Sequence, residues 1–347
     1  MDVERMRDSI NSFSLDQGPH GGQGFTRVLL QLFGFLGHGK SCFINTCKFV
    51  WDGAEYKSWA QAAGVDEGHT MVRRSYPLTP NITLVDNRGF SIVGGYETGE
   101  IFAQLGNLLP LDVPVEWNQG FGLAGRIIEA ENCVKKSDFI VPIFIYSVKK
   151  GIVPEEMDYL QELMVTSRDL TGMFPIVVLT HKSHSNRADV IANFQNLGVE
   201  QIFCLENYTS EDHTKTKSKH EEVLRFIYEV INDVHFQLRH ERNPSEEMLE
   251  RKEFVLRYIH HNDLKMQYVQ SENTKDETWL KNELRLQKEK YQREIQEDKR
   301  KHLEEMKKLE EDCGKMRQKM QEESRAAKQP KKGVKSWLAP LKIKSSK

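Results

Sequence analysis

Apolar residues gather in short unbroken runs between residues 27 and 205, and sets with helical spacing separate them. Arg27 to Phe33 (Arg-Val-Leu-Leu-Gln-Leu-Phe), Asn81 to Val85, Phe139 to Tyr146, Pro175 to Leu179 and Gln201 to Leu205 read as strands. A run that is apolar on both faces is how a strand inside a parallel sheet reads, because helices cover both its sides. Pro142 within the third run is awkward, since proline drops a ladder hydrogen bond. Ser41 to Val50 carries Phe43, Ile44, Cys47 and Val50 on one helical face. Gly122 to Val134, Val153 to Ser167, Ala188 to Leu197 (closed by Gly198) and Lys219 to Val234 read as helices too, and Pro154 suits a first turn. Strand and helix alternate over about 210 residues, which predicts a doubly wound, mostly parallel α/β domain spanning 26–240. Ligands of such sheets sit at the carboxyl ends of the strands.

The flanks read differently. Residues 1–25 are polar, and the Gly-rich stretch from Gln17 to Gly24 predicts a loose leader, with a short helix over Met1 to Phe13 as the alternative. Residues 94–120, with Gly94, Gly95, Pro110, Pro114 and Trp117, read as loop. From Glu241 the composition changes, residues 275–325 are dominated by Glu, Lys, Arg, Gln and Leu, and 241–325 reads as a helical extension with i,i+4 pairs such as Glu304–Lys308. Its apolar seam slips register near Asp298 and His302, so a coiled-coil dimer and a solvated single helix stand equally. Residues 326–347 hold seven lysines and no acid. They predict a disordered tail, with an anionic-membrane or nucleic-acid contact or a nuclear signal as alternatives.

The chemistry concentrates at the first strand end. Gly34-Phe35-Leu36-Gly37-His38-Gly39-Lys40-Ser41 matches G-x-x-x-x-G-K-[ST] between a strand and a helix. Glycines there let main-chain amides turn inward around phosphate oxygens, and the helix N-terminus adds a positive dipole. The lysine reaches the outer phosphates and the Ser41 hydroxyl binds Mg²⁺, with Cys42 in the first helical turn. Asp86-Asn87-Arg88-Gly89 ends the next strand, where such proteins hold Mg²⁺ through a carboxylate and sense the γ-phosphate through a glycine amide.

Together Gly34 to Ser41, Thr70, Asp86 to Gly89 and Leu179-Thr180-His181 resemble a GTP-binding G domain of the P-loop class. More narrowly, residues 26–235 resemble vertebrate immune-associated G-domain proteins of the interferon-induced protein 44 kind. The resemblance implies GTP and GDP as ligands, Mg²⁺ as cofactor and a role in immune response. It makes a mobile loop within residues 51–80 sense the nucleotide, and a threonine there, Thr70 or alternatively Thr79, completes the Mg²⁺ shell. Base readout in that family uses Asn/Thr-Lys-x-Asp, whose aspartate accepts two hydrogen bonds from guanine. Here Thr180-His181-Lys182-Ser183 ends in serine; His181 is placed to stack on the base and Glu206, at the next strand end, to supply an acceptor. Phe90 follows the glycine where a water-positioning polar residue often stands, and Leu36 adds bulk to the loop. His38 and Arg88 are candidate substitutes in catalysis. Binding with slow or partner-dependent hydrolysis is the expectation, in a switch with a homodimer or a protein effector as partner; the alternative is a catalytically weak scaffold working through its C-terminal helix.

Composition narrows these readings only at the margins. The 347 residues carry 49 Lys and Arg against 51 Asp and Glu, a net charge of −2, which argues against a nucleic-acid protein on bulk charge. Five cysteines without a C-x-x-C pair read as reduced thiols, and the location expected is cytoplasmic. No stretch approaches the roughly 18 apolar residues of a membrane-spanning helix.

Overall fold

A computed structural model describes residues 2–53, 55–61, 72–90, 95–113 and 122–272, with scattered helical positions between 285 and 304. Six strands, β1 (Arg27–Phe33), β2 (Arg74–Pro77), β3 (Ile82–Asp86), β4 (Asp138–Ser147), β5 (Ile176–Thr180) and β6 (Ile202–Cys204), form one sheet in the order β2-β3-β1-β4-β5-β6. All neighbours are parallel except β2 and β3. The helices are α1 (Val3–Asn11), α2 (Lys40–Asp52), α3 (Gly95–Leu105), α4 (Leu123–Glu129), α5 (Pro154–Thr171), α6 (Arg187–Asn196), α7 (Lys217–Gln237) and α8 (Pro244–Glu272).

Side chains of successive strand residues point to opposite faces, so each apolar run feeds two cores. Val28, Leu30 and Leu32 of β1 and Val141, Ile143 and Ile145 of β4 pack with α1, α2 and α7 on one side. Phe33, Phe144 and Tyr146 pack with α3, α5, α6 and α8 on the other. Each predicted strand is present within about two residues of its expected ends. Pro142 stands opposite Gln31, and the β5 ladder begins only at Ile143. The proline therefore opens the doubly paired stretch rather than interrupting it.

Four expectations are corrected. Residues 1–25 are not a loose leader: Met6 and Ile10 are buried in the first core, and Arg7 donates to the Val50 and Trp51 carbonyls at the end of α2 (2.7 and 3.1 Å). Phe13, Leu15 and Phe25 complete the docked segment. Residues 95–105 form α3 rather than loop, with Phe102 and Leu105 buried. The short edge strand β2, antiparallel and half polar, went unread. The change of composition at Glu241 is not where the first unit ends. Met248, Arg251 and Val255 of α8 are buried, and the division falls between Gln267 and Tyr268.

In the second unit, positions 285–290 are helical, and Lys301–Glu297 and Arg300–Glu304 are i,i+4 ion pairs. The coiled-coil register and the lysine-rich 326–347 lie outside the described residues. Among the described residues no helix is long and apolar enough to cross a membrane.

Candidate functional site

The sheet order places β1 between β3 and β4, so the chain leaves β1 toward one edge and later returns to its other side. Such a reversal opens a crevice at the carboxyl ends of the strands. Gly34 to Gly39 fill that crevice. Gly34 has φ 147°, and a Cβ there would sit 2.3 Å from the Ile145 carbonyl oxygen. Only glycine lets the loop leave β1 this close to β4. Gly37 and Gly39 also take left-handed φ values, and Gly39 caps α2.

Lys40 folds back beneath the loop. Its Nζ donates to the Gly34 and Phe35 carbonyls at 3.0 and 3.1 Å. The outer carbonyls are held from the other side: Thr180 Oγ1 donates to His38 O (3.0 Å) and Asn207 Nδ2 to Gly39 O (3.4 Å). The first intrahelical bond of α2 runs from Phe43 N to Gly39 O. The amides of Lys40, Ser41 and Cys42 therefore belong to the open first turn, where a helix presents its donors and positive dipole end. Burial lowers the Lys40 pKa to about 8, against the opposing pull of Asp86.

Asp86 and Gly89 meet this loop. Ser41 Oγ donates to Asp86 Oδ2 at 3.0 Å, while Asp86 Oδ1 is buried without a hydrogen-bond partner. Burial raises the Asp86 pKa, and Lys40 and the Ser41 hydroxyl oppose the shift. A Cβ on Gly89 would lie 2.7 Å from Lys40 Nζ and 2.8 Å from Leu36 Cδ2, so a side chain there would push the ammonium from its place. Leu36 N donates to Phe90 O (3.0 Å) and Phe90 N to Gly34 O (3.4 Å), zipping the two loops together. Phe90 is buried against Phe35, with ring centroids 4.6 Å apart. It anchors the loop from within the core.

A magnesium ion suits this donor set. Mg²⁺ takes one or two protein oxygens and keeps waters and phosphates in its other positions. The orphaned buried Asp86 Oδ1 and the neighbouring Ser41 hydroxyl would supply two such oxygens. Among the described residues no group of three His, Cys, Asp or Glu gathers for a metal.

The remaining candidates divide. His38 is buried; its Nδ1 accepts from Ser147 N (3.2 Å), and its ring packs on Tyr146 and Phe35. Burial lowers its pKa to about 3, and Lys40, Lys150 and His181 push the same way. It is a neutral clamp between loop and β4, which removes it as a proton-transfer group near neutral pH. The Arg88 amide donates to Gln104 Oε1 at 2.9 Å. Cys42 is half-buried, and burial raises its pKa. Thr79 caps the β2–β3 turn, its Oγ1 accepting from Asn81 N and Ile82 N. That turn lies at the amino end of β3, a strand length from Asp86, so Thr79 is corrected out of the metal shell. Thr70 lies outside the described residues.

At the other end of the crevice Thr180 ends β5 and His181 follows it. His181 adopts φ 58°, and its Nδ1 lies 3.1 Å from Ser147 Oγ. Lys182 pairs with Glu222 of α7. Ser183 Oγ donates to Glu206 Oε2 at 3.0 Å, so the carboxylate after β6 stands beside the serine after β5. Sequence reading missed Asn207 and Ser147. Both are small polar residues at strand ends, a position common to many turns, and only the fold brings them under the loop.

This chain matches no family model and no curated protein. Among solved structures it is similar to a crystal structure of a Thermus thermophilus protein, at 14% identity and a TM-score of 0.28. That match covers 50% of this chain and 22% of the other.

Proposed function

We propose that this chain is a guanine-nucleotide-binding protein of the P-loop NTPase class, a nucleotide-controlled switch with slow or partner-dependent hydrolysis. The observation that carries the reading is the convergence of Lys40, Ser41, Asp86 and Gly89 on one crevice: the Ser41–Asp86 hydrogen bond is 3.0 Å and Gly89 fits beneath Lys40 Nζ. Lys40 and the open first turn of α2 hold the phosphates; Ser41 and Asp86 hold Mg²⁺, which supplies charge neutralisation between the outer phosphates. Slow turnover follows from what surrounds the γ-phosphate position. Phe90 is in the core and cannot orient water, and His38, neutral and with Nδ1 engaged by Ser147 N, is no general base near neutral pH. A turnover above about 1 s⁻¹ in the isolated protein, well past the intrinsic Gα scale, rejects this part.

Glu206 reads the base in this proposal. A carboxylate accepts hydrogen bonds in pairs, guanine offers two adjacent N–H groups on its Watson–Crick edge, and adenine does not. Glu206→Ala is expected to erase a GTP-over-ATP preference; an unchanged preference removes Glu206 from the site.

Thermal-shift measurements with GDP, GTP and ATP, each with Mg²⁺, on the wild type and Lys40→Ala, test the whole. Stabilisation by guanine nucleotides alone, lost in the variant, supports the switch. No shift with any nucleotide supports the scaffold reading, in which the C-terminal helix does the work.

A further inference from the structure

A guanidinium keeps its charge at any physiological pH and carries five donors in a rigid fork. Burying one is costly unless those donors are met, and an apolar side chain of similar volume often packs at less cost. Arg73 is 2% exposed. Its donors reach Asn87 Oδ1 (2.7 Å), Leu109 O (2.5 Å), Gln31 Oε1 (2.9 Å) and Asn107 Oδ1 (3.0 Å). All four acceptors are neutral. The carboxylates nearby are engaged elsewhere, Asp138 with Arg27 and Asn107, and Asp112 with Ser75. The Arg73 carbonyl is also fixed, by the Asp112 amide at 2.7 Å.

One of the four groups this fork holds is Asn87, the residue after Asp86. The Asn87 side chain is held at both ends, Oδ1 by Arg73 and Nδ2 by Gln31 Oε1 (2.9 Å). Its amide donates to Leu32 O at 3.3 Å. The carboxylate of Asp86, adjacent in the chain, turns Oδ2 to Ser41 and leaves Oδ1 without a partner.

We propose that Arg73 is a positioning residue for the metal site: through Asn87 it sets the plane of the Asp86 carboxylate. The inference rests on the nucleotide reading above. Groups one shell out from a metal ligand are commonly worth 10–100-fold in metal affinity, so the effect is measurable.

The test compares GDP affinity with excess Mg²⁺ and with EDTA, for wild type, Arg73→Met, Asn87→Ala and the double variant. The expected result is that each single change weakens binding with Mg²⁺ on the order of tenfold. Affinity in EDTA stays within about twofold, and the double variant is no weaker than the worse single, as for residues acting in series. A role confined to stability lowers the melting temperature and leaves the Mg²⁺-to-EDTA ratio at the wild-type value; that outcome overturns the proposal. Should Arg73→Met not fold, Asn87→Ala alone decides by the same ratio. Wild-type protein that binds GDP in neither condition sinks the nucleotide reading and this one with it. A wild type with Mg²⁺-dependent binding, and variants indistinguishable from it, sinks only the role of Arg73.

Discussion

Ser41 Oγ lies 3.0 Å from Asp86 Oδ2, a hydrogen bond that joins the first turn of α2 to the carboxyl end of β3 across 45 residues of chain. It brings a hydroxyl and a carboxylate from two separate motifs to one point. Asp86→Asn keeps the shape and removes the charge. The expected outcome is loss of roughly tenfold or more in nucleotide affinity with Mg²⁺, about 1.4 kcal/mol, with little change in EDTA. Titration of a fluorescent GDP analogue in both conditions checks it.

Two glycines in the site should fail in different ways. At Gly34 an added Cβ meets the Ile145 backbone oxygen at 2.3 Å, and the φ of 147° is strained for any L side chain. Gly34→Ala should destabilise the fold by roughly 3 kcal/mol, visible as a lower urea midpoint. At Gly89 the two closest atoms are the ends of side chains, Lys40 Nζ and Leu36 Cδ2. Gly89→Ala should remain folded with the ammonium displaced, and nucleotide binding should weaken by about tenfold or more.

His38 predicts the acid limb of stability. Its pKa falls from 6.5 to about 3 on folding, chiefly through burial. Between those values the unfolded chain binds a proton that the folded chain does not. Stability is therefore full above pH 6.5 and declines as the pH drops, by up to about 1.4 kcal/mol per pH unit from this residue. His38→Gln, which does not titrate, should flatten the loss between pH 6.5 and 5 in urea-denaturation series.

Lys40 predicts the alkaline side. Burial lowers its pKa from 10.5 to about 8. Between those values the unfolded state binds more protons, so stability of the nucleotide-free protein rises with pH from this group. On the proposed nucleotide reading affinity runs the other way, because the ammonium must be charged to hold phosphate. Affinity should be full below pH 8 and fall above it, approaching tenfold per pH unit. Isothermal titration with GDP between pH 7 and 9.5 measures the slope. Lys40→Met should bind weakly at every pH with little slope.

The glycine-lysine loop and the strand before it were legible because they are local. Arg27 to Phe33 has one reading as a buried strand, and the loop has ordered residue types at fixed offsets. Asp86 at a strand end was legible for the same reason, and the sheet places it against Ser41. Thr79 was misplaced although it precedes the strand that ends in Asp86, and the structure puts it in the turn at the amino end of β3. The leader was misread because Met6 and Ile10 reach their partners on α7 only after more than 200 residues have been laid down. Helix α3 was masked by its glycines, which tertiary burial of Phe102 and Leu105 overrides.

Local residue order determined that this chain builds a mostly parallel α/β sheet and a glycine-rich loop after its first strand, because strand burial and turn chemistry act over a few neighbours. Tertiary structure alone decided which polar residues share a space: Thr180 and Asn207 under the loop, Ser183 beside Glu206, and Arg73 locked onto Asn87. Those contacts join residues 14 to 168 positions apart. Their energies come from burying polar groups against one another, and that cost and its relief exist only once the strands are side by side.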